Sequence, residues 1–241
     1  RSSFSPNIKE RRDCSVALFD AAGRLVAQAA HIPIHLGSLL GAVEAVGKAY
    51  PLAALRPGDA FVCNDAYLTG GTHLPDISIV TPVFAAGRVR FFTACLGHHA
   101  DVGGAVPGSI SPSAASIFEE GIRSPATRIG TAGRLEEGIL RLIAENTREP
   151  EDRTLDLKVQ IAVNEGGARA VEALIRRMGI DAVETAVDDL LAYTTRRLRN
   201  RIARLRPGRY GFTSWMDDDG LGGPRVPIVA AVTVRGECFS R

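Results

Sequence analysis

The segment "PDISIVTPVFAAGRVRFFTACLGHH", residues 75–99, decides the fold of this chain. Its residues 77–84 and 88–97 are rich in β-branched and aromatic side chains, which favour β-strands. Ala-Ala-Gly between the two runs supplies a turn, as in a hairpin. The segment therefore predicts two neighbouring antiparallel strands.

The length of the turn determines which residues of the two strands face each other. A three-residue loop over 86–88 places Asp76 opposite His98, with Cβ atoms about 5 Å apart. A two-residue loop shifts this pairing by one residue. In either register, His73, Asp76 and one of the two consecutive histidines 98 and 99 meet at the open end of the hairpin.

Two imidazoles and a carboxylate at a rigid strand end suit a divalent metal. Imidazole binds Zn, Mn, Fe or Ni, and a carboxylate favours harder ions such as Mn. Three protein ligands leave positions open for water or substrate, which is the catalytic arrangement. The alternative interpretation is that His73 and Asp76 cap the strand while the other histidines bond backbone carbonyls.

Three further features near the hairpin have two interpretations each. Asp101, in "HHADVGG", either orients a ligating histidine or is a turn residue. The glycines of "DVGGAVPGS" (101–109) either line an oxyanion or form an ordinary loop, which we favour because no P-loop lysine is present. His31 and His35 either reach the site or have a core or surface role.

The remaining pattern predicts an α+β fold, with strands concentrated in the first half and helices in the second. "CSVALFDAAGRLVAQAA" (14–30) predicts another hairpin, and Ser38 is the expected N-cap of the helix after it. We expect a long loop over 101–133 with one helical turn near "SIFEEGI". Helices are expected at 134–147, at 151–178 with an interruption at Gly166–Gly167, and at 181–205.

The organisation expected from this pattern has three regions. A strand-rich region with the metal site covers about residues 1–133, a helical region about 134–206, and the start of a further β region 207–241. The chain lacks an initiator methionine, and it stops after the apolar strand in "VPIVAAVTVRGECFSR". We therefore expect either a single domain or the N-terminal half of a longer polypeptide.

Composition and charge exclude several classes of partner. Hydrophobic residues make up 45% of the chain and charged residues 23%, both ordinary for a globular protein. A net charge of +2 favours neither nucleic acid nor a membrane. No apolar run approaches the roughly 18–20 residues of a membrane span, and no signal peptide is visible, so a cytoplasmic location is predicted.

Two further residue types, cysteine and arginine, are given structural roles. The four cysteines are widely spaced, and buried free thiols are favoured over disulfides or a zinc cluster. The six arginines between Arg196 and Arg206 are interpreted as a solvated helix face or a subunit contact, since the balanced charge argues against nucleic acid.

Three long motifs in order resemble the hydantoinase B/oxoprolinase family: "SPNIKERRDCSVALFDAAGRLVAQAAHIPIHLGSL", "GDAFVCNDAYLTGGTHLPDISIVTPVF" and "HHADVGGAVPGSI". That family includes B subunits of ATP-dependent N-methylhydantoinases, the corresponding half of 5-oxoprolinases, and the metal-carrying large subunits of acetone and acetophenone carboxylases. Its members are considerably longer than this chain, so the resemblance implies the N-terminal half of a B-type subunit.

The resemblance implies a ligand set and a group of catalytic residues. In the metal-containing relatives, the "THLPD" and "HHADVGG" motifs hold the ion, here Zn, Mn or Fe. By motif position, the implied ligands are His73, Asp76 and His98. The residues assigned to catalysis, as acid/base or positioning groups, are His99, Asp101 and Asp65.

The resemblance also implies an ATP-dependent hydrolase of cyclic amides or imides, of the hydantoinase or 5-oxoprolinase type. A separate A-type subunit would bind ATP and phosphorylate the substrate carbonyl, so homo- and hetero-oligomers are expected. The alternative within the family is a ketone carboxylase. Two further alternatives are a non-catalytic assembly subunit and a metal-dependent hydrolase that needs no ATP.

Overall fold

The computed structural model describes residues 5–30, 32–236 and 238–240. Backbone contacts divide them into two compact units. The first comprises the described residues of Arg1–Ser111 and Ser116–Ile180, and the second comprises those of Pro112–Ala115 and Asp181–Arg241. The α+β class is confirmed, with most strands in the first half of the chain and the long helices after residue 136.

The first unit contains one sheet and five helices. Its strands are β1 (Cys14–Asp20), β2 (Leu25–Ala30), β3 (Ala60–Cys63), β4 (Asp76–Ala85), β5 (Arg88–His98), β6 (Thr127–Thr131) and β7 (Arg134–Leu135). Its helices are α1 (Pro6–Lys9), α2 (His35–Ala49), α3 (Ala66–Thr69), α4 (Glu137–Glu145) and α5 (Pro150–Met178).

The sheet lies between two layers of helices. Its strands are antiparallel, in the order β2-β1-β5-β4-β3-β6-β7, so β4 and β5 lie at the centre. Val80 and Ala94 belong to the core that α2 covers, and their neighbours Ile79 and Cys95 belong to the core beneath α4 and α5. Because successive side chains of a strand point to opposite faces, both faces of the central hairpin are buried.

Of the two registers considered for the central hairpin, the structure has the one that pairs Asp76 with His98, although the turn is not the one expected to produce it. The turn has two residues, Ala86 and Gly87, both with positive φ (50° and 73°), and not three. A bulge between Val83 and Phe84 inserts one extra residue in β5, so Asp76 still pairs with His98. The bulge compensates for the shorter turn.

Two amide side chains of α5 hold the helix against the central hairpin. Asn164 Nδ2 donates to the carbonyl oxygen of Ile79 at 2.8 Å, and Gln160 Nε2 donates to that of Ile77 at 2.9 Å. Gly167 lies against the side chain of Thr93 on β5, which leaves no room for a Cβ atom without movement. The expected interruption of this helix at residues 166–167 is therefore wrong: Gly167 permits a close approach to β5, and the helix is continuous.

Other expectations need smaller corrections. Helix α2 begins at His35, so Ser38 is a buried residue within the helix and not its N-cap. The segment 101–133 contains the expected single helical turn, at Ile117–Glu119, but also strand β6. The thiols of Cys63 and Cys95 are free and buried, and burial raises the pKa of each to about 12.

The second unit confirms the expected β region after the helices. It contains helix α6 (Ile180–Ile202) from Asp181 onward and a three-stranded antiparallel sheet. The strands are β8 (Gly208–Met216), β9 (Val226–Arg235) and β10 (Cys238–Ser240). In the part of the chain that the structure describes, none of the helices has the length and apolar character of a membrane span.

Gly41 of α2 allows the helix to contact α3. A Cβ atom at this position would overlap the carbonyl group of Thr69, whereas a Cβ at Gly47 of the same helix meets nothing within 4 Å. We expect Gly41→Ala to lower the free energy of unfolding by about 1–3 kcal/mol through overpacking. Gly47→Ala should raise it by about 0.5–1 kcal/mol.

Urea unfolding followed by circular dichroism measures both changes, and Gly47→Ala serves as the matched control. Equal stability of the two variants would show that α2 and α3 do not depend on this close contact.

Candidate metal centre

Three donor atoms converge where β4 begins and β5 ends. His73 Nε2 and Asp76 Oδ1 lie 3.2 Å apart, His98 Nδ1 and Asp76 Oδ1 lie 3.2 Å apart, and the two ring nitrogens lie 3.1 Å apart. Among the described residues, this is the one cluster of three or more His, Cys, Asp or Glu groups with converging donor atoms. The structure therefore brings together the three residues for which metal binding was expected.

The geometry of this triangle fits a shared cation. Tetrahedral ligands about 2.1 Å from one ion are about 3.4 Å from each other, close to the separations in the cluster. If both ring nitrogens carried protons for Asp76, two N–H groups would face each other at 3.1 Å. A cation removes this conflict, because neutral imidazoles then present lone pairs.

One backbone and one side-chain hydrogen bond fix the loop that carries His73. The amide of His99 donates to the carbonyl of Pro75 at 2.8 Å, and Thr72 Oγ1 donates to Asp76 Oδ2 at 3.1 Å. Gly70, with φ of 67°, ends α3 and turns the chain into this loop. The Asp76 side chain is thereby left with its Oδ1 atom directed at the two histidines.

Electrostatics keep the carboxylate of the cluster ionised. Burial disfavours the charge on Asp76, but hydrogen bonds from His73 and His98 outweigh it and hold the pKa of this carboxyl well below its usual range. The hydrogen bond with Asp76 raises the pKa of His73, partly offset by burial. Asp76 is therefore a carboxylate throughout the neutral range, as a metal ligand must be.

Asp13 and His35 lie beside the cluster. Asp13 Oδ2 is 4.0 Å from His98 Nδ1, and its Oδ1 is 3.4 Å from His35 Nε2. Sequence reasoning did not single out Asp13, because its position at the site comes from tertiary contacts: β1 pairs with β5, and the amide of His98 donates to the Asp13 carbonyl. His35 was recognised only as able to reach the site, and His31 lies outside the described residues.

His99 points away from the cluster into the protein. It is fully buried, and its Nε2 lies 2.8 Å from Gln160 Oε1. Burial lowers the pKa of His99 to about 4, so the ring is neutral at physiological pH. Its position suits a residue that holds the end of β5 against α5.

Asp101 organises the glycine-rich loop. It accepts hydrogen bonds from the backbone amides of Gly103 (2.8 Å) and Gly108 (2.9 Å) and from Arg148 Nη1 (2.9 Å). Burial raises the pKa of Asp101, but these hydrogen bonds outweigh it and lower the pKa overall. Two amides of the loop thus bond a side chain of the protein itself, which agrees with the loop interpretation of the glycines.

Asp65 and its neighbour Asn64 hold the chain segments that flank the centre. Asp65 caps α3 by accepting from the amides of Tyr67 and Leu68, and it pairs with Arg123 at 3.2 Å. Asn64 Nδ2 donates to the carbonyl of Leu74, next to His73. None of the hydrogen bonds described for Asp65, His99 or Asp101 joins the His73–Asp76–His98 cluster directly.

The fold and the cluster define a class of protein: an α+β chain whose central hairpin carries a candidate two-histidine, one-carboxylate metal centre. The sequence model of the hydantoinase B/oxoprolinase family matches residues 1–240, and the chain belongs to that family. It is 34% identical to caprolactamase subunit beta of Pseudomonas jessenii, over 98% of this chain and 40% of that protein. It is 42% identical to 5-oxoprolinase of Dictyostelium discoideum, over 76% of this chain and 14% of that protein.

Two solved structures share the fold. The ATP-dependent caprolactamase of Pseudomonas jessenii matches 94% of this chain and 39% of its own, with a TM-score of 0.88 and 33% identity. A nucleotide-free acetone carboxylase matches with a TM-score of 0.83 at 22% identity, which shows the fold alone. The chain spans less than half the length of each of these relatives.

The depressed pKa of His99 predicts a pH dependence of stability. The folded pKa, about 4, lies below the ordinary value of 6.5. Between these values the unfolded chain binds a proton that the folded chain does not. The free energy of unfolding should therefore fall as the pH drops through this window, by about 1.4 kcal/mol per pH unit from this group.

His99→Gln should make the pH dependence shallower, because glutamine does not titrate. Urea titrations from pH 7 to 4 measure the slope, and Asn164→Ala serves as a destabilised control that keeps His99. An unchanged slope in His99→Gln would assign the pH dependence to other groups.

Proposed function

We propose that this chain forms the metal-binding part of an ATP-dependent enzyme that hydrolyses cyclic amides, of the hydantoinase or 5-oxoprolinase type. The observation that carries the proposal is the triangle of His73 Nε2, Asp76 Oδ1 and His98 Nδ1 in a member of this family. The relatives named caprolactamase and 5-oxoprolinase support a cyclic amide as the substrate.

The three ligands have separate tasks in this proposal. Asp76 supplies a permanent negative charge, and His73 and His98 supply neutral ring nitrogens. A divalent ion such as Zn, Mn or Fe in their midst would polarise a carbonyl group or lower the pKa of a water molecule. His73 has the most exposed side chain of the three, at 33%, so we place the approach of substrate on its side.

We propose that Asp13 also takes part in the reaction. Its carboxylate is 4.0 Å from His98 Nδ1, and its side chain is 29% exposed. A carboxylate in that position can take a further place beside the ion or accept a proton from water. His99, Asp101 and Asp65 are proposed as positioning residues, because each is engaged with Gln160, with the glycine-rich loop or with α3.

ATP use is proposed for the assembled enzyme and not for this chain. The sequence has no P-loop lysine, and the matching caprolactamase structure is described as ATP-dependent. We infer that an A-type partner subunit transfers the γ-phosphoryl group of ATP to the substrate's carbonyl oxygen. Water would then add to the activated carbon, and the ring C–N bond would break with protonation of its nitrogen, which leaves an acyl phosphate that a second water hydrolyses to the carboxylate and inorganic phosphate. His73, Asp76 and His98 would hold the ion that polarises the carbonyl group or the attacking water.

Ketone carboxylation is the second candidate function, because the fold is shared with an acetone carboxylase. An assay of the complex with its A-type partner separates the two reactions. ATP consumption with a lactam, hydantoin or 5-oxoproline supports the hydrolase. ATP consumption only with a ketone and bicarbonate would replace it by the carboxylase.

Metal analysis tests the centre itself. We expect one divalent ion per intact chain, and we expect Asp76→Asn and His73→Ala to weaken binding by at least about 100-fold, more than the loss of an outer contact. Asp20→Asn is a matched control, because Asp20 lies at the opposite end of β1 from the centre. A chain without stoichiometric metal would leave the non-catalytic assembly subunit as the interpretation.

A further inference from the structure

The structure assigns a positioning role to His35: it holds the Asp13 carboxylate beside the His73–Asp76–His98 cluster through a series of polar contacts that begins at Ser15. This inference rests on the proposed function, because it concerns the same candidate metal centre. It adds a residue that lies outside the cluster and acts on it through Asp13.

The first of these contacts, between Ser15 and His35, fixes the ring of His35. Ser15 Oγ lies 3.0 Å from His35 Nδ1, and both residues are buried. If the serine hydroxyl donates to Nδ1, the proton of a neutral imidazole must lie on Nε2. In that arrangement His35 Nε2 can donate a hydrogen bond towards Asp13.

The second contact orients the carboxylate. His35 Nε2 lies 3.4 Å from Asp13 Oδ1, while the other oxygen, Oδ2, faces His98 Nδ1 at 4.0 Å. One carboxylate thus has one oxygen towards His35 and the other towards the cluster. Asp13 is 29% exposed and His35 only 2%, so the buried ring restrains a side chain that otherwise has access to solvent.

The backbone places Ser15, His35 and Asp13 independently of the cluster. Ser15 lies on β1, where it pairs with Leu96 of β5, and His35 is the first residue of α2. Strand pairing brings Asp13 close to His98, and helix α2 brings the ring that orients it.

A buried histidine without a role at the site would need partners only within the core. His35 has such a partner in Ser15, yet its Nε2 faces a partly exposed carboxylate. Burial lowers the pKa of His35, opposed by the nearby charges of Asp76 and Asp13, so the neutral form needed for this arrangement is favoured.

The test measures metal affinity as well as activity. Zn²⁺ affinity is determined by competition with a chromophoric chelator, and Co²⁺ absorption reports the coordination. His35→Leu removes both contacts of the ring and should weaken Zn²⁺ binding about 10–100-fold, the usual effect of losing an outer-sphere contact. His35→Gln, whose amide can still donate towards Asp13, should recover most of that loss.

A double-mutant cycle with Asp13 separates a positioning role from a structural one. If His35 acts through Asp13, His35→Leu should cause no further loss of Zn²⁺ affinity in an Asp13→Ala background. Asn164→Ala controls for lost stability, because it disturbs the packing of α5 without contacting Asp13. Additive losses in the cycle, or unchanged affinity and Co²⁺ spectrum in both His35 variants, would overturn the inference.

Zn²⁺ binding by the intact chain distinguishes a failure of the proposed function from a failure of the role of His35. If the intact chain binds no Zn²⁺, the proposed function fails and the role of His35 fails with it. If the intact chain binds Zn²⁺ and Asp76→Asn abolishes binding while His35→Leu does not alter it, only the role of His35 is refuted.

Discussion

The pairing of Asp76 with His98 across β4 and β5 is the constraint on which the site depends. Both faces of this hairpin are buried in apolar clusters, so a slip by one residue would move every side chain of one strand into the opposite cluster, where its volume would not fit. The register is thus set by the packing of the whole sheet, and it determines which residues meet at the site. The two donor atoms are held 3.2 Å apart because the core permits one alignment.

The helices on the two sides of the sheet act on this hairpin in different ways. Helix α5 inserts Gln160 and Asn164. The amides of both bond strand carbonyls, and Gln160 also bonds His99, which follows His98 in the chain. Such buried amides are costly to remove, because their partners would remain unsatisfied. Helix α2 contributes the ring of His35. Its Gly41 leaves space for Thr69 of α3, which precedes the loop that carries His73. The same packing that stabilises the core therefore also orients the charged groups at its edge.

Particular residues show why some expectations failed. The bulge opposite Phe84 cannot be read from the local pattern, since alternation there is masked by a strand buried on both faces. Gly166 and Gly167 favour an interruption by helix propensity, but the helix is continuous, and Gly167 packs against Thr93 of β5. Strand β6 is five residues long and forms only because β3 offers an edge. Asp13 carries no chemical signature of its own; its importance comes from the strand beside it.

The sequence by itself determined the α+β class, the central hairpin, the family and the three residues of the cluster. These follow from local strand propensity, from turn residues and from continuous sequence motifs, and the three residues of the cluster lie within 26 positions of one another. Only the tertiary structure decided that Asp13 and His35 join the same site, and that His99, Asp101 and Asp65 are engaged elsewhere. The physical reason is that strand pairing between β1 and β5 and the packing of α2 and α5 act between residues far apart in the chain. Local residue preferences do not predict those long-range contacts.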